Sequence, residues 1–211
     1  VESSVLAVGG QMVTVRGPAA TYRDEYLPQY GRHQADNAAL AIAAVESFIG
    51  GGTQPIAGDI LAQGLAEATS PGRLQLVGIA PTVIVDAAHN PHGARALAAA
   101  LGEFFDFDEW ALVLGVLGDK DAEGIIDALA PVITRVFTTQ PESPRASDAE
   151  TLADLIELRG VVVSAHPASD DAMDTARRWA AEADRRAVLI AGSVVLAGEA
   201  IAYAESEGWK A

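Results

Sequence analysis

The sequence predicts an α/β fold whose main sheet is mostly parallel, and three observations carry that prediction. From residue 82 onward, short apolar runs alternate with stretches of helical periodicity. The runs are apolar throughout instead of alternating, as expected of strands covered on both faces. Polar residues collect just after the ends of those runs, at the carboxyl edge where open α/β sheets bind ligands. The predicted strands span residues 82–85, 110–114, 132–138, 161–164 and 187–191, with helices between them. Together they predict a Rossmann-like domain over residues 81–211, a usual domain size.

The residues before it read differently. Residues 6–8 and 12–15 flank Gly9-Gly10 and predict a β-hairpin. Residues 22–30, which include Pro28, read as irregular or as an edge strand. A hairpin alone is marginal in water, so it is expected to complete a sheet whose other strands lie upstream. The chain opens on Val1 and not on Met, and is expected to be a piece of something longer. After Gly31 to Asn37, a helix is predicted to about Ile49, with Ala38, Ile42, Val45 and Phe48 on one face; Gly50-Gly51-Gly52 ends it. A second helix over residues 55–68 is expected to bury Ile56, Ile60, Leu61 and Leu65. Ser70-Pro71-Gly72-Arg73 breaks it, and residues 74–77 read as a strand. Residues 72–81 are the expected crossing between domains, so residues 1–80 are assigned to a separate, incomplete domain.

Composition narrows the function classes. The 211 residues are half hydrophobic, enough for a sizeable core. There is no cysteine, which excludes disulfide and thiolate chemistry and fits a reducing cytoplasm. A formal net charge of −15 argues against nucleic acid as a partner, but a few local donors can still hold one anion such as ATP. No apolar run reaches membrane-spanning length.

The chain is organised around residues 82–93. Val83, Ile84 and Val85 end abruptly in Asp86; Asn90 suits an N-cap and Pro91 a first helical position, and Ala94, Leu97, Leu101 and Phe104 follow at helical spacing. Asp86, His89 and Asn90 therefore belong to a strand-to-helix turn, where the helix N-terminus favours an anion. The plain alternative is that Asn90 only caps, His89 is a surface residue and Asp86 ends a strand. The other strand exits carry Gly118-Asp119-Lys120-Asp121, Ser143-Pro144-Arg145 and Gly192-Ser193. Edge turns need Gly, Asp and Ser for geometry alone, but that explains Lys120 and Arg145 less well; these read as anion binders or as solvated charges. Ser147 and Glu150 have capping-box spacing. His33, His89, His92 and His166 form no recognised metal pair. There is no G-x-S-x-G elbow and no G-x-x-x-x-G-K-[ST] loop, so a phosphate cradle would lie outside these residues.

Four pieces occur in order: His33-Gln34 with Asn37-Ala38, Pro71-Gly72-Arg73, Asp86-x-Ala88-His89-Asn90-Pro91, and Gly192-Ser193. This resembles folylpolyglutamate synthase and its bifunctional relative dihydrofolate synthase, in the Mur ligase superfamily; Ser143-Pro144-Arg145-Ala146 is also similar. The Asp-x-Ala-His-Asn-Pro run is the specific part, and the match corresponds to the second half of the family's length. The resemblance implies the tail of a central ATPase domain followed by the C-terminal Rossmann-like ligase domain. It implies ligation of L-glutamate to a folate, or ligation to dihydropteroate, through an acyl phosphate made from ATP with Mg2+. It further implies that Asn37 contacts adenine, Arg73 reaches the phosphates, Asp86 binds ribose and His89 sits beside the nucleotide, with Arg73 and His89 the catalytic candidates. Asn90, Lys120 and Ser193 become candidates for glutamate, and Ser143 and Arg145 for folate or glutamate carboxylates. The family's phosphate loop and magnesium ligands lie upstream of the matched part, so this chain alone is not expected to catalyse ligation, and its expected partner is the N-terminal ATPase half of the same polypeptide. Two other readings are another Mur-type amide ligase and a non-catalytic nucleotide-binding or regulatory module. The Ala88-His89-Asn90 turn speaks for folate over the first, and retention of Arg73, Asp86 and His89 against the second.

Overall fold

The computed structural model describes residues 1–209. The chain divides into two compact units, Val1–Pro71 and Gly72 onward.

The first unit opens with three antiparallel strands in the order β1-β2-β3: β1 (Ser3–Ala7), β2 (Gly10–Arg16) and β3 (Thr21–Leu27). Gly9, at φ +78°, makes the tight turn of the hairpin. The segment expected to be irregular or an edge strand is β3, paired along β2 with a register shift between Val13 and Val15. Two helices follow, α1 (Arg32–Ile49) and α2 (Gly58–Ala66). Val13, Val15, Tyr22, Leu27, Ala35, Ala38, Ile42, Leu61 and Leu65 form one core.

The buried face of α1 is Gln34, Ala35, Ala38, Ile42 and Glu46, which corrects the expected face: Val45 is 40% and Phe48 93% exposed. Glu46 sets the rotation. Its Oε1 accepts the Tyr22 hydroxyl at 2.6 Å and its Oε2 accepts the Ala19 N–H at 3.0 Å. Two hydrogen bonds to a carboxylate satisfy it in the interior, and Val45 and Phe48, which point away from this face, are left exposed. Burial and the bond to Glu46 push the Tyr22 hydroxyl pKa up. On α2, Leu61 and Leu65 are buried while Ile60 is exposed, against expectation.

The second unit is built as β4 (Gln75–Ile79), β5 (Thr82–Val85), α3 (Pro91–Phe104), β6 (Glu109–Leu114), α4 (Ala122–Leu129), β7 (Arg135–Thr139), α5 (Ala149–Glu157), β8 (Val162–His166), α6 (Ser169–Ala181), β9 (Arg186–Ala191) and α7 (Val194–Ser206). Its sheet has the order β4-β5-β9-β6-β7-β8. All neighbours run parallel except β4, which pairs antiparallel with β5. The residues expected to cross between domains thus enter this sheet as β4, and the compact division falls after Pro71 and not after Ala80.

Three local expectations are revised. The strand placed at 132–138 begins at Arg135, because Ala130–Val132 with Pro131 forms a 3₁₀ turn. The strands are not all apolar and covered: β8 lies at the sheet edge and alternates between exposed and half-buried residues. The N-cap of α5 is Asp148, whose side chain accepts the Thr151 N–H, and not Ser147.

The register brings strand exits together. Val85 lies opposite Ile190 and Leu114 opposite Ala191, so the turns leaving β5, β9 and β6 are neighbours at one carboxyl edge. Among the described residues no helix is long and apolar enough to cross a membrane.

Candidate functional site at the carboxyl edge

The turn after β5 is built from backbone hydrogen bonds to its neighbours. The Asp86 N–H donates to Ile190 O at 2.9 Å, Ala87 N–H to Gly72 O at 2.7 Å and Gly192 N–H to Ala88 O at 3.0 Å. One turn is thereby tied to the Gly72–Leu74 turn on one side and to the β9–α7 turn on the other. Gly192 makes the second tie possible: it sits at φ +113°, and a Cβ there would lie 2.7 Å from Gly115 O.

Asp86 is 5% exposed. Its Oδ2 accepts the Leu74 N–H at 2.9 Å and its Oδ1 the Ala88 N–H at 2.8 Å. His89 is half-buried, with Nδ1 3.0 Å from Ala87 O. If Nδ1 carries the proton, Nε2 is the ring's acceptor. Arg73, on the neighbouring turn, is exposed. Asn90 is the N-cap of α3, its Oδ1 accepting the Gly93 N–H at 2.8 Å, with Pro91 in the first helical position. Ser193 is the N-cap of α7; it is 1% exposed and its Oγ accepts the Leu196 N–H at 3.0 Å. Both residues cap, so what they retain for a ligand is the Asn90 amide N–H and the Ser193 O–H.

A second group forms from the exits of β6 and β7. Gly118 N–H donates to Arg145 O at 2.7 Å and Ser147 N–H to Val116 O at 2.9 Å, which laces the two loops together. Lys120 Nζ stands 3.1 Å and Arg145 Nη1 3.5 Å from the Asp119 carboxylate. Ser143 Oγ accepts the Arg145 N–H at 3.3 Å. Hydrogen bonding from Lys120 is the main cause holding the Asp119 carboxyl below its usual range. The trio pairs two cations with one carboxylate, and the Lys120 ammonium and Arg145 guanidinium are the groups there that could meet an anion.

The structure therefore gathers Arg73, Asp86, His89, Asn90 and Ser193 on adjoining turns of the second unit, and Lys120, Ser143 and Arg145 in one laced pair of loops beyond β6 and β7. Asn37 belongs to the first unit; it lies exposed on α1 and donates to Gln34 Oε1 at 3.1 Å. Two contributors escaped the sequence reading. Gln75 accepts the Gly72 N–H through Oε1 at 2.8 Å, and Asp119 joins the two cations. Neither role leaves a trace in periodicity; only the bare acidity of Asp119 next to Lys120 hinted at it. Among the described residues no group of three or more His, Asp or Glu side chains could hold a metal ion.

The fold and the edge define the class: an open, mostly parallel α/β domain with a ligand edge suited to anions. Residues 72–194 match the family described as Mur ligase, glutamate ligase domain. The dihydrofolate synthase/folylpolyglutamate synthase of Mycobacterium tuberculosis (strain H37Rv) is 46% identical over 209 residues, covering 92% of this chain and 43% of that protein. A solved structure of Mycobacterium tuberculosis folylpolyglutamate synthase complexed with ADP superposes with a TM-score of 0.92 at 45% identity, over 97% of this chain and 47% of that one. The bifunctional folylpolyglutamate synthase/dihydrofolate synthase of Yersinia pestis, complexed with AMPPNP and a manganese ion, gives a TM-score of 0.72 at 27% identity, over 88% of this chain and 42% of that one. The chain belongs to the Mur ligase family, through its glutamate ligase domain. It spans less than half the length of each of these relatives.

Proposed function

We propose that this chain is the glutamate-ligase portion of a longer, cytoplasmic, ATP-dependent ligase that joins L-glutamate to a folate, and also to dihydropteroate. The observation that carries this reading is the 46% identity to a dihydrofolate synthase/folylpolyglutamate synthase across 92% of the chain. The geometry supports it, because the carboxyl edge presents Arg73, His89, Lys120 and Arg145 on clamped turns.

ATP supplies the phosphoryl group that activates the folate carboxylate. Arg73, a guanidinium on a rigidly held turn, stabilises negative charge on the phosphates. His89, fixed through Nδ1, lies beside the nucleotide, and Asn37 meets the adenine. Asn90 N–H and Ser193 O–H face the incoming glutamate with Lys120, while Ser143 and Arg145 hold a carboxylate of glutamate or folate. The Lys120 and Arg145 cations beside Asp119 fit such a group. Among the described residues no group of three or more His, Asp or Glu side chains could hold a metal ion, and the ligands of Mg2+ are expected mainly in the ATPase half. That half would also cover Leu40, Phe48 and Ile49, which are 69%, 93% and 78% exposed on α1.

The test is ATP-dependent incorporation of labelled glutamate into tetrahydrofolate and dihydropteroate by the full-length gene product. Activity with ATP, and none without it, is the expected result; no incorporation into either acceptor overturns the reading. The 211 residues alone are expected to give none, since they contain no G-x-x-x-x-G-K-[ST] loop.

A further inference from the structure

The strand β8 carries a hydrogen-bonded relay that the ligand edge does not use. Ser164 and His166 alternate with Ala165 along β8, so their side chains share one face of the sheet. Ser164 Oγ lies 3.0 Å from His166 Nε2, and His166 Nδ1 lies 2.7 Å from Asp171 Oδ2, in the first turn of α6. One tautomer serves both contacts. Nδ1–H donates to the Asp171 carboxylate, which leaves Nε2 to accept the Ser164 hydroxyl. The His166 ring also packs against Phe137, with centroids 5.7 Å apart. His166 is half-buried and Ser164 exposed, so the base is fixed while the hydroxyl is reachable.

The backbone beside the hydroxyl supplies a donor. Ser164 O faces β7, 3.5 Å from Thr138 Oγ1. In a planar trans peptide the next N–H points the opposite way. Ala165 N–H therefore turns outward, where β8 is the last strand of the sheet among the described residues. A nucleophile, a base, a carboxylate orienting that base and an N–H beside the nucleophile are the parts that acyl transfer needs. Three strands separate β8 from β5, so the relay stands apart from the turn of Asp86 and His89.

We propose that Ser164 is an activated nucleophile, with His166 as its general base and Asp171 as the positioning residue for the ring, and that this relay takes acyl groups from small carboxylic esters. Ser164 Oγ bonds to the acyl carbon as the ester C–O bond breaks, and its proton passes to His166 Nε2 and on to the departing alkoxide. Water then attacks the acyl-serine by the same route. Its proton returns through Nε2 to Ser164 Oγ, and the carboxylic acid leaves. The relay lies on open surface beside Val162, which is 55% exposed, so short acyl chains suit it.

The experiment treats the full-length protein with p-nitrophenyl acetate and, separately, with a fluorophosphonate, and locates the adducts by peptide mass spectrometry. The variants are Ser164→Ala, His166→Gln, Asp171→Asn and Asp171→Glu, each checked for folding by its circular-dichroism melt. Ser206 is the internal reference: it is also exposed, but its hydroxyl donates to Tyr203 O and meets no base. Phosphonylation of Ser164 should outpace that of Ser206 by roughly 10²-fold, and His166→Gln should cancel this advantage. Ser164→Ala should abolish the burst of nitrophenol. Asp171→Asn should slow both reactions and Asp171→Glu should recover part of the loss, whereas a merely structural carboxylate would leave the labelling rate unchanged. Labelling of Ser164 no faster than Ser206, or ester hydrolysis that persists in Ser164→Ala, overturns the proposal and leaves the three side chains as a tether between β8 and α6. If a variant fails to fold, the ratio of Ser164 to Ser206 labelling in wild type decides.

Discussion

Gly192 shows how much one missing Cβ can hold together. Its N–H reaches Ala88 O, and its own Cα passes so close to the β6 exit that a Cβ would meet Gly115 O at 2.7 Å and Leu114 Cδ1 at 2.8 Å. An alanine there would suffer both the left-handed backbone and a clash with main chain that cannot move aside. Gly192→Ala should therefore lower the unfolding free energy by about 2 to 3 kcal/mol, read from the urea midpoint at unchanged m-value. The sequence marked Gly192 as a strand-exit residue beside Ser193. It also marked Asp86, His89 and Asn90 as one turn, because an apolar run stopping at Asp and an Asn-Pro pair are local signals. Gln75 was silent: a side chain that accepts a hydrogen bond from three residues upstream looks like any polar residue opening a strand.

At the scale of elements, the strand positions were legible because apolar β-branched runs and Gly or Pro boundaries are themselves local. The five expected parallel strands all exist, displaced by a few residues where Pro131 imposes a turn or where an edge strand is partly polar. Helix faces were less legible. The periodicity of α1 counts Val45 and Phe48 as core, and the structure leaves both exposed and buries Glu46, because Tyr22 and Ala19 satisfy the carboxylate inside. Glu46→Ala should destabilise the first unit by about 2 to 3 kcal/mol, since the Tyr22 hydroxyl and the Ala19 N–H lose their acceptor. Glu46→Gln, which keeps one acceptor oxygen, should cost less. Thermal unfolding followed by tyrosine fluorescence distinguishes the two, and equal losses would show that one acceptor oxygen does not suffice and that both carboxylate oxygens are needed.

At the scale of the molecule, the formal charge of −15 makes acid behaviour a global property. One surface network contributes to it. Arg185 binds Asp106 at 2.8 Å and Asp108 at 2.7 Å, and these hydrogen bonds hold both carboxyls below their usual range while raising the guanidinium above its own. A carboxyl whose folded pKa is depressed contributes stability above its unfolded pKa and loses it as pH falls through the folded one. The melting temperature should accordingly decline below about pH 4, and Arg185→Gln should flatten that decline. Both carboxylates are exposed, so the effect should be small and should shrink further in high salt. A decline of equal slope in wild type and variant would remove the network from the account.

The sequence by itself determined that a parallel α/β domain follows an antiparallel piece, that polar turns collect at strand exits, and which turn is central, because all of this is written in short-range patterns of apolar runs, caps and breakers. Only the tertiary structure decided that β9 enters the sheet between β5 and β6, that residues 72–79 join the second unit, and that Asp86, Gln75 and Gly192 fasten three turns into one edge. Those outcomes depend on register and on hydrogen bonds between segments far apart in the chain, as between Gly192 and Ala88, and no local pattern encodes which distant donor meets which acceptor.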